Sequence, residues 1–249
     1  MKKGFLDGRI ITEAKEQKEL LASLKEKQDF VLIVQELQKY QDFNVDNLVV
    51  SVALEGDQIN FDGKLTNVKA VTFKNPEKTV SISYVKVDDF EQVHESFTGK
   101  VVQEQIYKGF KAKLGEVLPT FTKEYNGELE TEPKLTDFPN NPNYSPGKTI
   151  EGQALDWIDG KFCLENEDAG RTYRHCGPGC GDGMSLGGGT PINSIDSCCR
   201  AHDRCWHNFG EGDKCCDKEL ANCIDPYQNQ DYWSWLQINT YFEPRGWLC

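Results

Sequence analysis

Apolar residues at Phe30, Ile33, Val34, Leu37 and Tyr40 recur at the spacing of one helix face. Upstream, residues 12–27 are rich in Glu, Lys and Leu, and Thr12 stands where an N-cap belongs, so a helix is expected there too. The period then changes. Residues 48–54 are β-rich, Ile59 and Phe61 alternate with polar neighbours, and 68–73 and 80–87 read as further strands between Gly, Asn and Pro signals. Residues 101–118 are expected to form a strand followed by a helix. Short strands with such connections favour an antiparallel sheet, so 1–125 is expected to be an α+β domain. Its single histidine, His94, has no cysteine or second histidine near it and reads as a solvated surface group. Residues 127–148, GELETEPKLTDFPNNPNYSPGK, gather Pro, Asn and Glu, so a linker or extended arm is expected over 126–150.

Composition changes sharply at about this point. All 10 cysteines lie between Cys163 and Cys249, and all 5 tryptophans follow residue 156, so a second domain is expected over 151–249. That cysteine density belongs to a disulfide scaffold made in an oxidising compartment, which points to a secreted protein. No signal peptide is visible, because the stretch after Lys3 is interrupted by charges. No run approaches transmembrane length. The formal net charge of -12 argues against a nucleic-acid partner and against purely electrostatic docking on anionic lipid.

Three cysteine-bearing segments carry the candidate chemistry: YRHCGPGCG (173–181), DSCCRAHDRC (196–205) and CCDKELANC (215–223). Asp196 is placed to cap a helix running through His202. Cys198 and Cys205 are seven apart and share a face, as do Cys216 and Cys223. Two antiparallel helices would then be joined by bridges from Cys198 to Cys223 and from Cys205 to Cys216. His202, four residues after Cys198, leans toward the partner helix, where Asp217 can reach its imidazole. Asp203, four residues after Cys199, shares that cysteine's direction. A bridge from Cys199 to Cys176 would pin the glycine-rich loop over the Asp203 carboxylate. For the remaining four cysteines the expected pairs are Cys180 with Cys215 and Cys163 with Cys249. Calcium takes carboxylate, carbonyl and water oxygens, and this arrangement offers the first two. A histidine oriented by a carboxylate can take a proton from water.

CCRAHDRC is similar to the active-site helix of secreted, calcium-dependent phospholipases A2. Gly188 to Pro191 with Asp196 resemble the approach to that helix, residues 173–179 resemble the family's calcium loop, and CDKELANC resembles its second helix. The resemblance implies a small, disulfide-rich, mainly α domain that hydrolyses the sn-2 ester of glycerophospholipids, releasing fatty acid and lysophospholipid. Carried over by position, His202 is the base and Asp217 its partner. Ca²⁺ is held by Asp203 and by the carbonyls of His175, Gly177 and Gly179, with the Gly177 amide helping to bind the oxyanion. A phospholipid membrane or micelle is the implied partner, and the N-terminal domain leaves room for a protein partner. Three departures stand out. About ten residues separate Cys205 from Cys216, too few for a β-hairpin that many members carry there. Residues 180–187 are an insertion between loop and helix. Trp206 stands where members often place a tyrosine that bonds the aspartate.

Other readings have less support. Zinc would want two spaced cysteine pairs, and the three glycines 187–189 lack the Lys and Ser/Thr of a phosphate cradle. His207 lies on another face from His202 and reads as a surface group. The aromatic tail from Tyr232 to Trp247 suits either core packing or a lipid-facing rim. The alternative function is a catalytically silent phospholipase A2-like toxin or binding module, whose usual mark is loss of His202 or Asp203; both are intact. For 1–125 the candidate roles are an inhibitory pro-segment, a targeting module or an adaptor.

Overall fold

The structure is a computed structural model that describes residues 4–113, 115–135, 138–148, 160–166 and 169–249. The chain forms two compact units. Unit 1 comprises residues up to Gln58 together with 66–149, and unit 2 comprises Ile59–Leu65 together with 150–249.

Unit 1 is an α+β body, as the change of period implies. Its elements are β1 (Phe5–Ile10), α1 (Ala14–Lys25), α2 (Gln28–Gln38), β2 (Val49–Ile59), β3 (Leu65–Lys74), β4 (Val80–Asp88), β5 (Val93–Gln103), β6 (Ile106–Lys113) and β7 (Glu116–Glu124). The seven strands form one sheet in sequential order, with antiparallel neighbours. Helix α2 buries the anticipated stripe of Phe30, Ile33, Val34 and Leu37. That stripe packs on Phe73, Ile82, Phe97, Val101 and Phe110 from the sheet. Phe30 and Phe97 meet edge to face at 6.0 Å.

Two local expectations are corrected. No side chain caps α1, whose N-cap residue is Glu13 rather than Thr12. The helix expected within 101–118 is instead the pair of strands β6 and β7, together with the end of β5. Tyr107, Gly109 and Lys111 alternate with Phe110 and Ala112, a period of two that the lysines and glycine obscure in sequence. Glu104 and Gln105, both at positive φ, turn β5 into β6.

The described residues of 126–148 belong to unit 1 and pack on its strands, while 149 and 150 lie outside the described residues. Lys74 Nζ donates to the carbonyls of Leu129 and Thr131, both at 2.9 Å. Phe138 is buried against Phe5 with ring centroids 5.1 Å apart. Tyr144 Oη donates to the buried Asp57 Oδ1 at 2.7 Å, and the Gly147 amide donates to its other oxygen at 2.8 Å.

Unit 2 is disulfide-rich and mainly helical. After the two-residue strands β8 (Glu165–Asn166) and β9 (Arg171–Thr172) come α3 (Ser194–Phe209), α4 (Lys214–Ile224) and α5 (Tyr232–Gly246). Bridges Cys198–Cys223 and Cys205–Cys216 join α3 to α4 in the expected antiparallel manner, and Cys176–Cys199 ties the glycine loop to α3. The other two bridges are Cys163–Cys180 and Cys215–Cys249, which corrects the expected pairing of those four cysteines. The reason is long-range. Phe162 N donates to Pro178 O and Leu164 N to Cys176 O, so Cys163 is laid beside the loop that carries Cys180. Helix α5 packs along α4 and returns the C-terminus to the start of α4, where Cys215 sits. Tyr232, Trp233, Trp235 and Phe242 are buried, so this part of the aromatic tail is core.

Candidate active site

Helix α3 begins at Asn193, whose side chain accepts the Asp196 amide at 2.9 Å. Asp196 is therefore not the cap. Its fully buried carboxylate accepts the amides of Arg174, His175 and Ile192 at 2.8–3.1 Å. Asp196 thereby fixes the glycine loop to the first turn of α3. The Asp213 side chain caps α4 by accepting from the amides of Cys215 and Cys216. That sets the first turn, and with it the direction of Asp217.

The two helices bring His202 and Asp217 together. His202 Nε2 lies 3.0 Å from Asp217 Oδ1, both residues being buried. Nδ1 of His202 is left on the other side of the ring. The imidazole is packed between Trp206, with centroids 4.3 Å apart, and Phe242 at 4.8 Å. Trp206 Nε1 donates to the same Asp217 oxygen at 3.2 Å. The hydrogen bond left open by the missing tyrosine is thus made by an indole.

Asp203 lies one residue on, facing the loop. His175 Nδ1 is 3.6 Å from Asp203 Oδ2, and the other nitrogen of that ring, Nε2, meets Gly189 O at 2.9 Å. Neither His175 Nδ1 nor Asp203 Oδ2 has a hydrogen-bond partner among the described residues, although both atoms are buried. Burial pushes the Asp203 carboxyl up to about 7, with His175 working in the opposite direction. A Cβ on Gly181 would come within 2.5 Å of Asp203 Oδ2, so glycine is what keeps the space beside that oxygen free. Gly177 has φ +129°, and a Cβ there would meet Phe162 O at 2.2 Å. The carbonyls of Gly177 and Gly179 each accept one backbone N–H, from Cys180 and Leu186, which leaves each a second lone pair. A buried carboxylate oxygen lacking a donor, next to carbonyl-rich glycine turns, fits a hard oxygen-seeking cation such as Ca²⁺. No group of three or more His, Cys, Asp or Glu side chains among the described residues is arranged to hold a metal, so such an ion would depend on backbone oxygens.

A cavity of about 570 Å³ opens over these residues. Its walls include His175, Gly177, His202, Asp203, Trp206, Phe242 and, from the other segment of unit 2, Phe61. Phe61 meets the rings of Tyr241 at 5.1 Å and Phe242 at 5.9 Å. Sequence reading singled out Trp206 only as a departure, placed Phe242 only in the aromatic tail, and gave no role at the site to Phe61, Gly181 or Arg245. Their distance along the chain from His202, or their helix register on α5, left no local signal.

A disulfide-bonded pair of antiparallel helices presenting a His–Asp couple and a second carboxylate under a glycine loop is a phospholipase A2-like arrangement. The sequence comparisons agree. Over 56 residues (22% of this chain and 30% of the relative) it is 39% identical to the acidic phospholipase A2 homolog taipoxin gamma chain of Oxyuranus scutellatus scutellatus. Over 73 residues (29% of this chain and 40% of the relative) it is 36% identical to phospholipase A2 A2-hormotoxin-Apt1a of Adamsia palliata. The chain therefore spans well under half the length of these two relatives. No family model matches the chain, and no solved structure matches it.

Proposed function

We propose that unit 2 is a calcium-dependent phospholipase A2 that hydrolyses the sn-2 ester of glycerophospholipids at a membrane or micelle surface. The observation that carries this reading is the His202–Asp217 contact at 3.0 Å beside the partnerless, buried oxygen of Asp203. His202 takes a proton from the attacking water through Nδ1, while Asp217 fixes the tautomer and balances the charge that forms on the ring. Trp206 and Phe242 flank the imidazole and keep bulk water from it. The Gly177 amide donates to the developing oxyanion. Asp203 and the carbonyls of His175, Gly177 and Gly179 would hold Ca²⁺, and the chemistry the ion would supply there is polarisation of the ester carbonyl. The apolar cavity wall of Phe61, Ile238 and Phe242 receives the acyl chain. On leaving the ester, the oxygen of lysophospholipid takes the proton back from His202.

Five disulfides and no free cysteine support a secreted protein. No helix among the described residues is long and apolar enough to cross a membrane. The intact His202, Asp203 and Asp217 favour an enzyme over a silent binding module. For unit 1 a protein-binding role remains the proposal. The test is fatty-acid release from mixed phospholipid vesicles while calcium is titrated. Release that saturates with calcium and stops in chelator is expected; full release in excess chelator overturns the reading.

A further inference from the structure

Asp217 has two carboxylate oxygens, and His202 and Trp206 both use Oδ1. Oδ2 is buried and makes no hydrogen bond among the described residues. The nearest cationic atom is Nε of Arg245, 3.7 Å away, which is itself buried without a hydrogen-bond partner. The pair is an ion contact rather than a hydrogen bond. The other end of the guanidinium is tethered. Nη1 of Arg245 lies 3.0 Å from Asp62 Oδ2, and Tyr241 Oη donates to Asp62 Oδ1 at 2.6 Å. Tyr241 and Arg245 are one helical turn apart on α5, so they share a face, and the guanidinium carbon sits 4.4 Å over the Tyr241 ring. A line of alternating charge therefore runs His202, Asp217, Arg245, Asp62.

We propose that Arg245 is a positioning residue that holds Asp217 against His202, with Asp62 as its anchor; this rests on the phospholipase reading given above. A carboxylate removed from water needs a countercharge, and His202 carries one only while it holds a proton. A guanidinium does not exchange its charge with the imidazole, so Arg245 steadies Asp217 before and after the proton moves. It is not among the residues that line the cavity, so its effect falls on turnover rather than on substrate binding. The guanidinium is about a third exposed, which weakens the interaction through solvent screening.

The experiment uses the full chain with vesicles of phosphatidylcholine and excess calcium, and the variants R245Q, R245K and D62N. R245Q is expected to lower kcat by roughly tenfold with KM changed by less than about twofold. R245K restores most of that loss, because it returns the charge. D62N costs a few-fold alone and adds little to R245Q, since both break one line of contacts. Independently of turnover, the Trp206 indole N–H resonance, which reports the hydrogen bond to Asp217, should move in R245Q and return in R245K. Unchanged kcat together with an unmoved indole resonance in R245Q overturns the proposal, as does equal loss in R245Q and R245K. If the unmodified protein releases no fatty acid but the indole resonance responds as described, the enzyme reading fails while the placement of Asp217 by Arg245 stands. Should R245Q not fold, D62N carries the same two measurements from a half-exposed side chain.

Discussion

The Trp206 indole donates its proton to Asp217 Oδ1 at 3.2 Å, the same oxygen that His202 Nε2 meets at 3.0 Å. One carboxylate oxygen thus serves two rings whose centroids are also 4.3 Å apart, their planes tilted by 53°. The indole restricts Asp217 from one side while the cysteine bridge next to it, Cys205–Cys216, restricts it from the backbone.

Trp206→Phe separates the packing from the hydrogen bond. The phenyl ring still covers His202 and Phe242, but the donor is lost. One net hydrogen bond is worth about 1 kcal/mol. A several-fold fall in kcat is therefore expected, with calcium affinity unchanged, as measured by vesicle assay and by calorimetric titration. A wild-type kcat would mean that Asp217 does not depend on the indole.

Asp203→Asn removes the carboxylate charge and keeps the shape. Asp203 Oδ2 has no protein donor to lose, so the fold should survive, supported by the Cys176–Cys199 bridge. Calcium binding and fatty-acid release are both expected to disappear. Retention of micromolar-range calcium binding by this variant would place the metal elsewhere.

His202→Gln should remove nearly all turnover and leave calcium affinity close to normal, because the ligands proposed for the ion lie on the Asp203 side. Asp217→Asn should be milder, since it weakens orientation and charge without deleting the proton acceptor. Kinetics on both variants, with calcium affinity measured alongside, distinguishes the two roles. Substantial hydrolysis by His202→Gln would assign the base to another group.

Much of this site was legible in sequence because helix geometry is local. Cysteines seven apart on two helices, with His202 four residues after Cys198, suffice to predict which faces meet. The same holds for the stripe on α2. What escaped was set by contacts far along the chain. Asn193, not Asp196, caps α3, because Asp196 is spent on three amides of the approaching chain around Arg174, His175 and Ile192. Cys163 pairs with Cys180 because the 162–164 backbone hydrogen-bonds to the glycine loop, which spacing does not reveal. In β6, lysines and Gly109 diluted the alternation that would have marked a strand. Arg245 lies 28 positions from Asp217 along the chain and joins it only through the packing of α5 on α4.

The Cys215–Cys249 bridge closes the C-terminus onto the first turn of α4, two residues before Asp217. Replacing both cysteines by serine should cost roughly 2–4 kcal/mol, the usual weight of a bridge closing a loop of this size. Turnover should fall as well, because the end of α5 carries Arg245 and Phe242. Peptide mapping of the unmodified protein should recover Cys215 joined to Cys249 and Cys163 joined to Cys180. Recovery of Cys180 joined to Cys215 would refute this arrangement.

Phe138 tests whether the proline-rich segment 126–148 is part of the fold of unit 1. Its ring is buried against Phe5, and its edge reaches the backbone of β1 and β2, where Cβ atoms on Gly8 and Gly56 would lie 2.7 and 2.9 Å from Cζ. Replacing Phe138 by Ala leaves a cavity bounded by strand backbone, which cannot collapse easily. A loss of about 3 kcal/mol in the unfolding of unit 1 is expected. Phe138→Leu should recover roughly half of it by refilling most of the volume. Urea denaturation followed by circular dichroism reads the change, since unit 1 holds the seven-stranded sheet. If Phe138→Ala unfolded at the same urea concentration as the unmodified chain, the segment would contribute nothing to unit 1, and its hydrogen bonds to Lys74 and Asp57 would be incidental.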